Sequence, residues 1–265
     1  MAWSTYMIAR VVKHCLREGA AMGANTGAYL SLHTADPGLT GASEVVVGGS
    51  SYTRQAVNGT GTFPTVTGDT VTNSAAAINF TLMPACTVTH VGLWDTVGPV
   101  TGNFIMGQSI DAQQVVNAND TFGFATSALT LSLAATRGYS TYLGIQLLKH
   151  VLLQATFGQP AALGLALHTA DPAETGANEV TGGTYLRQVP SFANAAAGVK
   201  ALNAIADFTL MPACTVNYIS VWDNITNASG NCLFLQTVAA LAKTVNAGNT
   251  FRVPGSAAGF QVTIS

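Results

Sequence analysis

One clause stands twice in this chain. SLHTADPGLTGASEV occupies residues 31–45, and ALHTADPAETGANEV occupies 166–180. The echo runs far past that clause and keeps its order. STYMIARVVKH (4–14) returns as STYLGIQLLKH (140–150), and GGSSYTRQ (48–55) as GGTYLRQ (182–188). VGLWD (91–95) returns as ISVWD (219–223), VVNANDTF (115–122) as TVNAGNTF (244–251), and FTLMPACTV recurs unchanged at 80–88 and 208–216. Whatever one half folds into, the other half must also fold into. The period, about 130 residues, is a whole domain and too long for a solenoid repeat. The expected organisation is a first repeat over 1–135 and a homologous second repeat over 136–265, with the junction near 134–138.

Each repeat opens with helical spacing. Ser4 and Ser140 are candidate N-caps, because a serine oxygen can accept an orphan backbone N–H. Behind them Ile8, Val11, Val12 and Cys15 share one face, as do Ile145, Leu147, Leu148, Val151 and Leu152. The remainder reads as short strands: 28–34, 89–96, 103–110 and 128–133 in the first copy, and 259–264 closing the second. Gly, Asn, Pro and Thr clusters separate them, and the Val- and Thr-rich composition suits strands. The expected fold class is mainly β (α+β): two tandem β-sandwich-like domains, each preceded by one amphipathic helix.

Composition narrows the partners. Hydrophobic residues make up 48% of the chain and charged residues only 8%, against roughly 25% in an average soluble domain. So few charges predict that much of the exterior is covered by copies of the chain or by a partner. The net charge is −2 and the ten Lys and Arg are scattered, so nucleic-acid binding, which needs clustered positive charge, is not expected. No membrane insertion is expected either, since the longest uncharged apolar stretch is broken by Gly158, Gln159 and Pro160. The N-terminus carries Arg10, Lys13 and Arg17 in its apolar part and does not read as a signal peptide. Cys15, Cys86, Cys214 and Cys232 form no CxxC pair, and their equivalence to apolar positions predicts buried free thiols.

The candidate functional residues all come in pairs. His33 and Asp36, with His168 and Asp171, offer an acid–base pair or a metal loop, with Glu44 and Glu179 the nearby repeated carboxylates. A metal needs more ligands than this, and catalysis needs a nucleophile with its base and an orienting group. No GxSxG, HExxH or P-loop pattern occurs. The structural reading is simpler: Asp before Pro makes a turn in which its side chain bonds the backbone two residues on. The His ring and Thr hydroxyl then satisfy backbone groups where the strand ends. Glu44 with Arg54, and Glu179 with Arg187, are expected to pair across a loop. Trp94 and Trp222 are expected in the core, not as sugar platforms. His14 and His150, near the helix ends, are expected to be solvated or bonded to terminal carbonyls. No cofactor and no catalytic residue is expected.

At LHTADP…TGA.EV..GG..Y.RQ the sequence resembles a family of tailed-bacteriophage virion proteins often labelled tail-fibre or minor tail proteins. The later clauses VTHVGLWD (88–95) and KTVNAGNT (243–250) resemble that family's C-terminal half. The resemblance implies a virion component assembled in the host cytoplasm, with other virion proteins of tail or capsid as partners. It supplies no catalytic residues. The chain has no coiled-coil heptad or Gly-X-Y tract, so a compact module fits better than a fibre shaft. The leading expectation is a non-enzymatic structural protein, either tail-fibre-like or a capsid decoration protein. A homo-oligomer is expected, and three chains would supply six units for a pseudo-sixfold platform. The alternatives are a receptor-binding adhesin recognising host-surface glycan and, last, an enzyme.

Overall fold

The computed structural model describes residues 2–19, 22–23, 27–45, 51–98, 101–133, 139–194, 199–237, 243–256 and 260–263. The sequence junction at 134–138, Gly48, Gly49, Gly259 and Ile264 lie outside these residues.

Ser4 and Ser140 start the two helices as capping chemistry requires. Ser4 Oγ accepts the N–H of Met7 at 3.1 Å and donates to the Phe104 carbonyl. Ser140 Oγ accepts the N–H of Leu143 at 3.2 Å and donates to the Cys232 carbonyl. Helix α1 spans Thr5–Cys15 and α2 spans Thr141–Leu152. The face of Ile8, Val11, Val12 and Cys15 is buried. So is that of Leu143, Leu147, Leu148, Val151 and Leu152, while Ile145 is half-buried. Helix α1 stops at Arg17, which takes a left-handed φ of 56°; Glu18 N–H then bonds back to the Lys13 carbonyl at 2.8 Å.

Among the described residues the regular structure beyond the two helices is mainly β, and both repeats use one pairing map. In the first, the strand Tyr29–His33 lies antiparallel to Cys86–Trp94, which pairs with Phe104–Val116. In the second, Gly164–His168 pairs with Tyr218–Trp222, which pairs with Cys232–Thr237. Smaller antiparallel pairs also correspond: Ile78–Phe80 with Phe122–Phe124, and Ala206–Phe208 with Phe251–Val253. The strand expected over 28–34 forms at Tyr29–His33 and is covered on both faces. Leu30, Ser31, Leu32 and His33 are all buried, and the strand is an interior member of a sheet of five strands. The Trp-bearing strand begins at Cys86, three residues before the expected 89, and its neighbour runs on to Val116.

The chain forms two compact units, and these cut across the sequence division 1–135 and 136–265 at the helices. The first unit comprises Met1–Ile8, Gly23–Ala135 and Ile145–Phe157; the second comprises Ala9–Met22, Thr136–Gly144 and Gly158–Ser265. Each unit thus holds the strands of one repeat, the opening turn of its own helix and the remainder of the other repeat's helix.

All four cysteines are free. Cys15 and Cys232 are buried, but Cys86 and Cys214 are only half-buried, because each opens a strand at the rim of its sheet. Burial pushes the Cys232 thiol up to about 12, so it stays protonated and packs as an apolar group.

Candidate functional site

The repeated residues converge on one buried polar cluster per unit. In the first, the Arg54 guanidinium holds Glu44 in a fork, Nε to Oε1 at 2.8 Å and Nη2 to Oε2 at 2.7 Å. Nη1 donates to the carbonyls of Thr96 (3.1 Å) and Thr101 (2.9 Å). The same guanidinium lies 3.8 Å from the centroid of the Trp94 ring. In the second, Arg187 repeats every part: Glu179 at 2.8 and 2.7 Å, the carbonyls of Asn224 (3.0 Å) and Ser229 (2.7 Å), and Trp222 at 3.9 Å. Both arginine side chains are 0% exposed. A planar guanidinium that forks onto a carboxylate, spans two carbonyls and stacks on an indole is a role lysine cannot fill.

Beside this fork runs a directed chain of hydrogen bonds. Trp94 Nε1–H donates to Ser31 Oγ at 3.1 Å, and Ser31 Oγ lies 2.8 Å from His33 Nε2. His33 Nδ1 faces the Ala42 carbonyl at 2.7 Å. A carbonyl only accepts, so Nδ1 carries the ring proton and the serine hydroxyl donates to Nε2. In the second unit Trp222 Nε1–H donates to Ser220 Oγ at 2.7 Å, Ser220 meets His168 Nε2 at 2.6 Å, and His168 Nδ1 meets the Ala177 carbonyl at 2.7 Å. The geometry mimics a nucleophile–base pair, yet serine and histidine are 0% exposed in both units. The serine oxygen already accepts the indole N–H, and the ring's second nitrogen meets a carbonyl where a triad has a carboxylate. What the arrangement does is tie the strand end to its following loop.

The hydroxyl comes from different strands in the two units. Ser31 sits on the His-bearing strand opposite Gly92, whereas Ser220 sits on the Trp-bearing strand opposite Ala166. The third member of the exchange is Phe104, whose counterpart is Cys232. A Cβ on Gly92 would come within 2.5 Å of His33 Nε2 and 2.8 Å of both Phe104 Cε2 and Ser31 Oγ. Gly92→Ser alone is therefore expected to cost about 1–3 kcal/mol by overpacking. The triple change Ser31→Ala, Gly92→Ser, Phe104→Cys rebuilds the second unit's arrangement and is expected to recover most of that loss. Guanidinium denaturation midpoints of the two variants check this; a triple variant less stable than Gly92→Ser would break the compensation argument.

Both imidazoles are held below the ordinary histidine range, chiefly by burial, which opposes the charged form. The unfolded chain therefore takes up these two protons near pH 6.5, before the folded chain does. Stability is full above that pH and falls as pH drops through it, by about 1.4 kcal/mol per pH unit for each histidine. Urea midpoints measured from pH 7.5 to 5 are expected to show this slope, and His168→Asn to remove one proton from it.

The remaining candidates stand apart from the cluster. Asp36 Oδ1 accepts the N–H of Gly38 and Asp171 Oδ1 that of Ala173, each at 2.8 Å, so both shape the exposed Asp-Pro turn. Asp95 clamps Asn103 through its backbone N–H (2.7 Å) and side-chain amide (2.6 Å), and Asp223 clamps Asn231 likewise. Trp94 and Trp222 are buried under the arginines, leaving no free indole face for a sugar. His14 and His150 are buried, not solvated. His150 meets the Ala155 carbonyl at 3.1 Å, but His14 Nδ1 accepts the Met22 N–H at 2.8 Å, because the chain folds back over the helix end. Among the described residues no group of three or more His, Cys, Asp or Glu is placed to hold a metal.

Sequence reasoning missed Ser31, Ser220, Tyr52 and Tyr185. Each tyrosine hydroxyl accepts a strand N–H, Leu32 or Leu167, at 2.9 Å. The tyrosines were visible in Y.RQ of both copies. The serines were hidden, because they occupy different positions in the two repeats.

Residues 2–132, and again 138–261, match the family described as Podophage GP4 fiber I protein gp80. No curated protein matches the chain. No helix among the described residues is long and apolar enough to cross a membrane. One family description fits each repeat in turn, over strands that share one pairing map and one buried cluster; the chain belongs to the podophage GP4 fibre I protein gp80 family, with the family's unit present twice.

Proposed function

We propose that this chain is a non-enzymatic, compact module of a phage tail, fibre-like in family and assembled as a homo-oligomer through protein–protein contacts. The observation that carries the reading is the twofold match to a podophage fibre family. The repeated polar residues are spent on holding the fold, which leaves the surface for assembly. One surface feature supports this. Leu82 and Leu210, equivalent positions in the unchanged FTLMPACTV clause, are about half exposed and adopt left-handed φ of 53° and 50°. An isolated chain would gain from glycine or asparagine there; a leucine kept in both copies at that conformation suits contact with a neighbouring virion protein.

A receptor-binding reading has one observation of its own. An open depression of about 530 Å³ in the first unit is lined by polar and aromatic groups, among them Asp111, Gln114, Asp120, Thr121 and Phe124. Labelling intact particles with an antibody to this chain, viewed by electron microscopy, tests the proposal. Label confined to the tail is expected, and a glycan screen of the purified chain then separates fibre-like scaffold from adhesin. Label spread over the head would make the chain a capsid decoration protein and overturn the tail reading.

A further inference from the structure

We infer that the helix is the mating element of this repeat, and that each repeat completes its compact unit only by accepting the helix of a second copy. The first unit takes Ile145–Phe157 from the second repeat, and the second unit takes Ala9–Met22 from the first. The exchange is reciprocal and uses the same segment each way. Within the second unit, Val11, Val12, Cys15 and Leu16 are buried; within the first, Leu147, Leu148, Val151 and Leu152 are buried. These are equivalent positions of the two helices, so the same ridge is buried in each unit.

The helix ends are tied down in the same reciprocal way. The carbonyl of Leu152 accepts the N–H of Gly59 at 2.7 Å inside the first unit. The carbonyl of its counterpart, Leu16, accepts from Lys200 Nζ at 3.3 Å inside the second. Lys200 is buried and also pairs with Glu18 at 3.1 Å. Removing one partner of a buried ion pair is costly, so β-structure of the second repeat is matched to the chain just past the first helix. Exchange of an identical element between two copies is the pattern of a swapped dimer; here the two copies are covalently joined. The join then serves to set the effective concentration of the two repeats and is not what holds them once folded.

The full chain with a specific protease sequence inserted at the repeat junction tests this. After folding and complete cleavage, the halves are expected to elute together at the mass of the uncut chain, at micromolar concentration and after tenfold dilution. Two particles of half mass would overturn the inference. Val12→Ala, on the buried face that Ala9–Met22 brings to the second unit, is expected to raise the Kd between the cut halves at least tenfold. Lys13→Gln, on the exposed side of the same helix, is expected to leave it unchanged. Halves held equally well in the Val12→Ala protein would place the association elsewhere and overturn the assignment to the helix.

Discussion

Replacing Arg54 by alanine is expected to cost about 3–5 kcal/mol of stability, the range seen when one partner of a buried ion pair is removed. The substitution strands Glu44 without its fork, leaves the carbonyls of Thr96 and Thr101 without the donor they share, and uncovers Trp94. Arg187→Ala is expected to do the same in the second unit, where every partner has its counterpart. Arg54→Lys keeps the charge but offers no planar fork and is expected to recover less than half of the loss. Chemical denaturation followed by tryptophan fluorescence measures this, with Trp94 reporting on the site itself. A loss below about 1 kcal/mol would mean that the pair behaves as a solvated surface pair. The exposed pair Asp207–Arg252, also a fork at 2.7 Å, is the natural contrast: Arg252→Ala is expected to leave the midpoint unchanged.

Gly41→Ala is expected to cost about 2–5 kcal/mol, the sum of two separate penalties. Gly41 has φ +79°, where an L side chain is strained by roughly 1–2 kcal/mol. A Cβ there would also lie 2.4 Å from Trp94 Cζ2 and 2.8 Å from Phe104, and neither ring can swing away in a packed core, adding about 1–3 kcal/mol. Gly176, at φ +77° and 2.3 Å from Trp222 Cζ2, is the same device in the second unit. Thermal and denaturant unfolding of Gly41→Ala and Gly176→Ala check the expectation. An effect below 1 kcal/mol would show that the loop can retreat from the indole. The glycine of the TGA clause is thus explained by a tryptophan 53 residues on in the first copy and 46 in the second.

Much of the fold was legible because it was written twice. Substitutions differ between the copies wherever the fold tolerates them, so Asp36, Glu44, Arg54 and Trp94 stood out against a background that had drifted. The helix caps and the Asp-Pro turns were legible for another reason: their chemistry is local, completed within three residues of chain. Where the sequence misled, distance in the chain was the cause. His14 sits near a helix end, which by itself predicts solvent or a terminal carbonyl, but the chain returns at Met22, whose N–H the ring accepts, and His14 is buried.

By itself, the sequence determined that one domain occurs twice, that it is mainly β behind one capped helix, and that its repeated Glu and Arg face each other across a loop. Of the repeated charges among the described residues, only Glu44 with Arg54 and Glu179 with Arg187 form ion pairs; these readings follow from periodicity and from contacts between near neighbours. Only the tertiary structure decided which hydroxyl bridges tryptophan to histidine, because Ser31 and Ser220 are interchangeable only across a strand pairing. Only it decided that each helix finishes in the unit of the other repeat. An apolar helix face specifies that it must be buried; it carries no record of which of two equivalent docks will bury it.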